Sequence, residues 1–385
     1  MSESDNKSIR IQLISDTDEF SLLEEKWNTV LSDSTANSIF LRWEWLYYWW
    51  IAYKEDNYKL VVVIVFREDK IIGIAPFYIA NVSCMGVIPV RRLLFLGTKE
   101  GDIMSEFMDI ICNPGDEDTV IKTIIKFIIQ ENICDDFYLQ KIKSSSKTIS
   151  LFMRLAEERK LFFIIHEEYE SPFVRLPSTM DDFLHGLSSS MRYKIRKNRR
   201  KLDKYSHVEF RKTSDSSELE RDFDELVRLH QLRWKSRNHP GSFADKSFFL
   251  FQKTVMTHLL KNGYLDLWLL SVGDKNICAN YNIRQNGKIY TYQSGIDTSF
   301  DASIAPGYLL HSYCIENAIQ HGFSEYHFLI MGHFDAYKKR WAGNTNDLCD
   351  IYIALTGVMK VLMTLKYKAR NYYHSLRKNY AGLNS

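Results

Sequence analysis

Three groups of residues in this chain have the types and spacing to hold an anion or move a proton. Arg192, Arg196 and Arg199 lie four and three apart in the densest charge run, Met191 to Lys204. On a helix they share one face, while Met191, Ile195 and Leu202 form an inward stripe. Such a face is either a solvated surface or a clamp for phosphates, acidic sugars or nucleic acid. The second group is Tyr292-Gln293-Ser294-Gly295, followed by Ala305-Pro306-Gly307-Tyr308. It reads as a strand, a short loop and the start of a helix. Proline suits a first helical turn, glycine permits close backbone approach, and a helix N-terminus presents N–H groups and the positive dipole end to an anion such as pyrophosphate. The third group is His327, on an apolar strand, with His333, Asp335, Tyr337 and Lys338 beyond it. A histidine titrates near neutrality and a tyrosine hydroxyl can give up a proton. Each has a plainer reading: a core histidine for His327, surface helix residues for Asp335 and Lys338, and a satisfied strand amide for Gln293.

The elements that must position these groups follow from periodicity. Helices are expected over Asp16–Leu31, Phe40–Ile51, Thr119–Ile129 and Ile149–Lys160, then over Met180–Leu187, Glu218–Trp234, Phe248–Leu260, from Pro306 to His321, and over Gly357–Tyr380. Strands are expected over Leu60–Phe66, Ile71–Ile79, Leu93–Leu96, Phe107–Ile111, Asp136–Leu139, Leu161–His166, Val208–Lys212, Leu265–Val272, Asn276–Ile283, Tyr290–Gln293 and Tyr326–Met331. The hairpin turning at Asp274-Lys275 repeats the one turning at Asp69-Lys70, and both follow Trp-rich helices. This pattern points to two copies of one α/β unit. The boundaries expected are 1–168, 169–350 and a basic helical tail, 351–385. The aromatic run beginning at Phe40 is either core or the lining of a sugar-binding cleft. The tail either packs on the body or makes a peripheral membrane contact.

Composition sets the frame. Apolar residues are 45% of 385 and the formal charge is +2, so charge neither demands nor excludes a polyanionic partner. The six cysteines form no C-x-x-C pair, which argues for buried free thiols rather than a disulfide framework or a zinc site. The start of the chain lacks the apolar core of a signal peptide, and the richest apolar run is too short to span a bilayer. The expectation is a cytoplasmic protein. No P-loop, dinucleotide-binding glycine motif or nucleophile elbow is present.

The motifs also occur in a recognisable order. Phe40-Leu-Arg-Trp-Glu-Trp and Gly73-Ile-Ala-Pro precede Ser171-Pro-Phe-Val-Arg-Leu-Pro and the Arg/Lys-rich helix. Tyr292-Gln-Ser-Gly, Ala305-Pro-Gly-Tyr-Leu-Leu, a strand ending at Gly332 and Tyr337-Lys-Lys-Arg-Trp then follow. Together they resemble the CelD/BcsL-type acyltransferases of the Gcn5-related N-acetyltransferase (GNAT) superfamily, often associated with bacterial polysaccharide synthesis. The resemblance spans Phe20 to Trp341. The tandem arrangement is also similar to FemAB-like transferases, which use aminoacyl-tRNA.

The resemblance implies an α/β fold of tandem GNAT-like domains, each a mixed, largely antiparallel twisted sheet flanked by helices, plus a C-terminal helix. It implies acetyl-CoA or another acyl-CoA as donor, no metal, and an amino or hydroxyl acceptor on a small molecule or glycan, with polysaccharide-synthesis machinery at the inner face of the membrane as a partner. Tyr292, Ser294, Ala305, Gly307 and Tyr308 would hold the donor. Backbone amides from Tyr292 to Ser294 would polarise its carbonyl if the strand is bulged or splayed. Tyr337, His327 and Gln293 would act on protons or orient substrate, and Arg192, Arg196 and Lys338 would bind the acceptor. One departure is His327, which stands where the family usually has an acid opening the last core strand. Two alternatives remain: an aminoacyl-tRNA donor, with tRNA as partner, and a non-catalytic scaffold or sugar-binding subunit.

Overall fold

The computed structural model describes residues 8–84, 86–101, 104–301, 303–332, 337–341 and 343–368. It divides into two compact units: Met1–Leu46, Lys54–Glu168 and Leu348–Ser385 form one, and Tyr47–Tyr53 with Tyr169–Asp347 the other.

The first unit begins with β1 (Ile9–Ile14), α1 (Thr17–Ser21), α2 (Glu24–Asp33) and α3 (Trp43–Tyr53), whose last seven residues belong to the second unit. It continues through β2 (Tyr58–Arg67), β3 (Lys70–Cys84), β4 (Ile88–Phe95), β5 (Ile111–Cys112), α4 (Glu117–Gln130), β6 (Asp136–Lys143) and α5 (Lys147–Glu158). The chain crosses along β7 (Phe162–Arg175) into α6 (Met180–Gly186), α7 (Ser189–Leu202), β8 (Val208–Lys212), α8 (Ser216–Lys235), α9 (Lys246–Lys261), β9 (Leu265–Val272), β10 (Lys275–Gln285), β11 (Lys288–Ile296), α10 (Pro306–Gln320) and β12 (Glu325–His327). It returns to the first unit along β13 (Asn344–Ala354) and a helix at 357–368.

The strands of the two units follow the same order with the same directions. In the first, β1-β2-β3-β4 is antiparallel, β4 pairs β6 in parallel, and β6 pairs β13 antiparallel. In the second, β8-β9-β10-β11 is antiparallel, β11 pairs β12 in parallel, and β12 pairs β7 antiparallel. The repeated hairpins of the sequence are β2-β3 and β9-β10, at equivalent places in the two orders.

Differences from the periodicity have local causes. The edge strand β1 buries only Ile14, so it carries no apolar run to announce it. The helix expected over Asp16–Leu31 breaks at Leu22-Leu23. At 107–111 only Ile111 is strand, continued by Cys112. β12 stops at His327: the Phe328 N–H still meets Pro172 O (2.8 Å), the next position in register with β7, and Leu329 then takes a positive φ of 60°. The boundary at 350/351 falls inside β13. Trp43, Trp45, Trp49 and Trp50 are buried, so the aromatic run of α3 is core rather than an open cleft. All six cysteines are free and buried.

β13 brings a buried charge to the first unit. Asp350, fully buried, accepts from Lys141 Nζ (3.1 Å), the Lys141 N–H (2.9 Å) and the Tyr138 hydroxyl (3.2 Å). Lys141 is itself buried and adopts a φ of 58°. Removing one member of such a pair strands the other charge without water. Asp350→Ala is therefore expected to lower unfolding free energy by about 3–5 kcal/mol. Urea denaturation measures this, and Lys141→Met added to Asp350→Leu should recover much of the loss.

Candidate active site

The site is built where β11 and β12 part. Their parallel ladder runs for three residue pairs, Lys288↔Glu325 to Tyr290↔His327. β11 then continues to Ile296 while the chain beyond β12 turns away. Just past the last shared rung, the register with β10 jumps from Thr291↔Asn282 to Gln293↔Tyr281, which leaves Tyr292 as an extra residue in a bulge. Parting and bulge together open the backbone edge of Tyr292–Ser294, the condition for carbonyl polarisation there.

Helices on the flank hold β11 in this course. At Gly295 a Cβ would lie 2.5 Å from the His230 nitrogen, so only glycine lets α8 approach this closely. Arg233 donates to Ser294 Oγ (2.8 Å), and Gln252 of α9 donates to the Tyr292 hydroxyl (3.3 Å). Gln293 lies near the His230 imidazole and favours its charged form. The side chains at 292–294 are therefore tied back to α8 and α9.

The loop between β11 and α10 is pinned as well. Asp297 takes Lys275 (2.6 Å) and Ser299, which hold its carboxyl at about 2 despite burial. Asp301 accepts from the Ser303 N–H and the Tyr205 hydroxyl, and Lys201 donates to Ser303 O (2.9 Å). At the start of α10 the Ala305 N–H is already engaged by Asn198 Oδ1 of α7 (2.7 Å). Pro306 has no N–H, and the Tyr308 N–H turns back to Ala305 O. That leaves Gly307 as the first-turn amide with no acceptor inside the helix. The turn carries no acid and no side-chain cap, so its positive dipole end is not already neutralised. A Cβ at Gly307 would meet Ile296 Cδ1 at 2.8 Å, so the glycine also permits α10 to seat against the end of β11.

Tyr337 and Tyr308 gather at this end. Tyr308 lies under Lys194 Nζ (3.6 Å), and its ring centroid is 6.3 Å from that of Tyr337. Tyr337 is also 6.1 Å from His311, one turn along α10. Lys338 is buried, with Nζ on Ile330 O (2.9 Å); it fastens the departing chain rather than presenting a surface cation. His333 and Asp335 lie outside the described residues.

His327 is placed elsewhere. Strand side chains alternate between faces. Tyr326 meets His311 of α10, whereas His327 stacks on Phe173 (4.9 Å) and lies against Tyr290 (4.8 Å). Its Nε2 is 2.8 Å from Glu325. An acid does open β12: it is Glu325, two residues before His327. His327 and Lys288 hold the Glu325 carboxyl at about 2, ionised and weakly basic. The structure thus groups Tyr337 with Tyr308 and Gly307 and leaves His327 on the other face of β12.

The arginines divide similarly. Arg199 is committed to Glu316 (2.8 Å) and Ser312 of α10. Arg192 gives one nitrogen to the carbonyls of His185 and Leu187. With Ser189, Tyr193, Arg196 and Arg200, both line an open recess of about 600 Å³.

Residues 189–339 match the model of a family described as an acetyltransferase (GNAT) domain. The fold of this segment is the GNAT fold. No curated protein sequence matches the chain. Among solved structures, the chain is similar to FemX at 9% identity, with 89% of this chain and 96% of that one covered and a TM-score of 0.60. It is also similar to a conserved protein of unknown function from Bacteroides thetaiotaomicron (13%, 90% and 99% covered, TM-score 0.54). A third is the C-terminal domain of a putative lysylphosphatidylglycerol synthetase from Agrobacterium fabrum (8%, 92% and 96% covered, TM-score 0.51). At these identities the likeness is one of fold.

His230, which sequence reasoning passed over, sits fully buried on the side of α8 that packs on β11. Its Nε2 accepts from Trp234 Nε1 (2.8 Å), and burial pulls its pKa down to about 4. The unfolded chain protonates this imidazole near pH 6.5, the folded one only near 4, so in between the unfolded state binds more protons. Stability should fall as pH falls through that window, by on the order of 3 kcal/mol from this group. His230→Gln should flatten the decline of Tm between neutrality and pH 4.5, whatever its effect on Tm at neutral pH.

Proposed function

We propose that the second unit transfers an acyl group from an acyl-CoA thioester to an amino or hydroxyl group of a sugar-type acceptor, as the CelD/BcsL resemblance implies. The observation that carries this reading is the coincidence, at one end of the sheet, of the β11–β12 parting, the Tyr292 bulge and the acid-free start of α10. The donor's pyrophosphate would rest at the Gly307 amide, and its acyl–pantetheine arm would run along the opened edge of β11. Backbone N–H groups from Tyr292 to Ser294 would stabilise the oxyanion.

The acceptor's lone pair attacks the thioester carbon, the C–S bond breaks, and the sulfur leaves with the electron pair. Tyr337 is the assigned acid, donating its phenolic proton to that thiolate. His327 faces away from Tyr337, so the acceptor's own proton is lost to solvent, from which Tyr337 regains the proton it gave the thiolate. Gln293 orients the acceptor. The anionic part of a phosphorylated or acidic sugar would be met by Arg192 and Arg196.

Calorimetry with acetyl-CoA and CoA is the first measurement, with micromolar binding expected. Gly307→Glu puts a carboxylate at the helix start and should weaken binding at least tenfold. Unchanged affinity would remove the donor site from α10. Tyr337→Phe should lower kcat roughly 10²-fold or more with little change in donor affinity.

The open arginine recess favours a second reading, with aminoacyl-tRNA as donor. Retention of tRNA at low salt, abolished by Arg196→Glu with Arg200→Glu, would support it.

A further inference from the structure

The helix at 357–368 has apolar residues on both of its sides. On one side Met359 and Met363 are buried in the first unit. Tyr367 packs on Phe162, with ring centroids 5.6 Å apart, and bonds through its hydroxyl to His166 Nδ1. Lys360 donates to Lys160 O (2.6 Å). These contacts fix which side faces out. On that outer side Val358, Val361 and Leu365 are 62%, 58% and 58% exposed. They stand three and four apart and so form one stripe. Single exposed aliphatics are ordinary, but a row of three on a helix already anchored by its opposite side is a surface prepared for contact.

Charge decides what kind of contact. Residues 357–385 contain Lys360, Lys366, Lys368, Arg370, Arg377 and Lys378 and no aspartate or glutamate, whereas the whole chain is formally only +2. A second copy of this chain would bring the same cations to the stripe and repel it. An anionic lipid surface is complementary to both features at once. It takes aliphatic side chains below its headgroups, while lysine stems reach up to the phosphates. Among the described residues no helix is long and apolar enough to cross a membrane. We infer that this helix lies on the surface of an anionic bilayer, with Val358, Val361 and Leu365 toward the acyl chains and Lys366 and Lys368 at the headgroups. The association is shallow, reversible and salt-sensitive, and it is independent of acyl transfer.

Co-sedimentation of the full chain with vesicles tests this. Binding is expected to vesicles of mixed phosphatidylcholine and phosphatidylglycerol, falling as salt rises, with little on phosphatidylcholine alone. Lys366→Glu with Lys368→Glu should lower the partition coefficient roughly tenfold or more. Val361→Ser with Leu365→Ser should lower it as well, with the unfolding temperature unchanged because both residues point outward. Lys366→Gln with Lys368→Gln should fall between wild type and the reversal. Absence of binding to the anionic vesicles at low salt, or binding indifferent to both pairs, overturns the inference. So does a dimer in sedimentation velocity that the serine pair dissociates, since the stripe would then cover a second copy.

Discussion

The parting of β11 from β12 is the constraint on which the site depends. Two parallel strands paired along their whole length would spend their edge groups on each other and leave no backbone for a ligand. Here three rungs join them, and both sides then prevent a fourth. The Phe328 bond to Pro172 keeps one strand with β7, and Leu329 in the left-handed region and the Lys338 ammonium on Ile330 O then lead it away. Gly295 under α8 and the ties from Arg233 and Gln252 keep the other on its path. The opening is therefore held from two directions by groups that do not themselves need to touch a substrate.

The first unit shows what happens when the same order of strands is not used this way. β4 and β6 also pair only briefly, Arg92↔Asp136 and Leu93↔Phe137. Beyond that point the buried residues Met104 to Met108 come in, and the Met108 N–H donates to Lys141 O (3.0 Å). The helix that follows, α4, starts with Asp116, Glu117 and Asp118, which neutralise its dipole end and would repel a phosphate. α10 starts with Ala305, Pro306 and Gly307. Equivalent architecture thus carries opposite electrostatics at the two helix starts, and this places the case for a ligand in the second unit.

Much of this was legible in the sequence because the signals were local. Val208–Lys212, the paired hairpins, Pro306 at the first turn of α10 and the long amphipathic helices all follow from periodicity and turn chemistry. What was not legible depends on partners distant in sequence. β13 reads as an unremarkable run until β6 is beside it. The acid of β12 was sought at position 327, since nothing local reveals that the strand opens at Glu325. Lys338 looks like one cation among Lys338-Lys339-Arg340, yet its neighbour Ile330 makes it a fastener. The bulge at Tyr292 is a mismatch between two strands and so is not a property of either sequence alone. Gly307 was visible, although its tight packing on Ile296 was not.

Placing α10 over the sheet requires more than apolar packing. Leu309, Leu310, Cys314, Ile315 and Ala318 make a surface that would still be greasy if the helix slipped by a turn. Beneath them lies a buried polar cluster. The Tyr326 hydroxyl accepts from Asn280 (3.1 Å), lies 2.7 Å from the Thr291 hydroxyl and meets His311 Nδ1 of α10 (3.1 Å), while Thr291 and Asn280 both donate to Asn282 Oδ1. Burial pushes the Tyr326 phenol well up, so it stays protonated and can donate as well as accept. A slip of one turn would carry His311 off Tyr326 and leave polar groups buried without partners, at about 1–3 kcal/mol each. Apolar contacts make α10 adhere to the sheet, whereas this cluster selects one register. That register sets Gly307 against Ile296 and the start of the helix beside the opened edge of β11, so a network remote from that helix start determines where it lies.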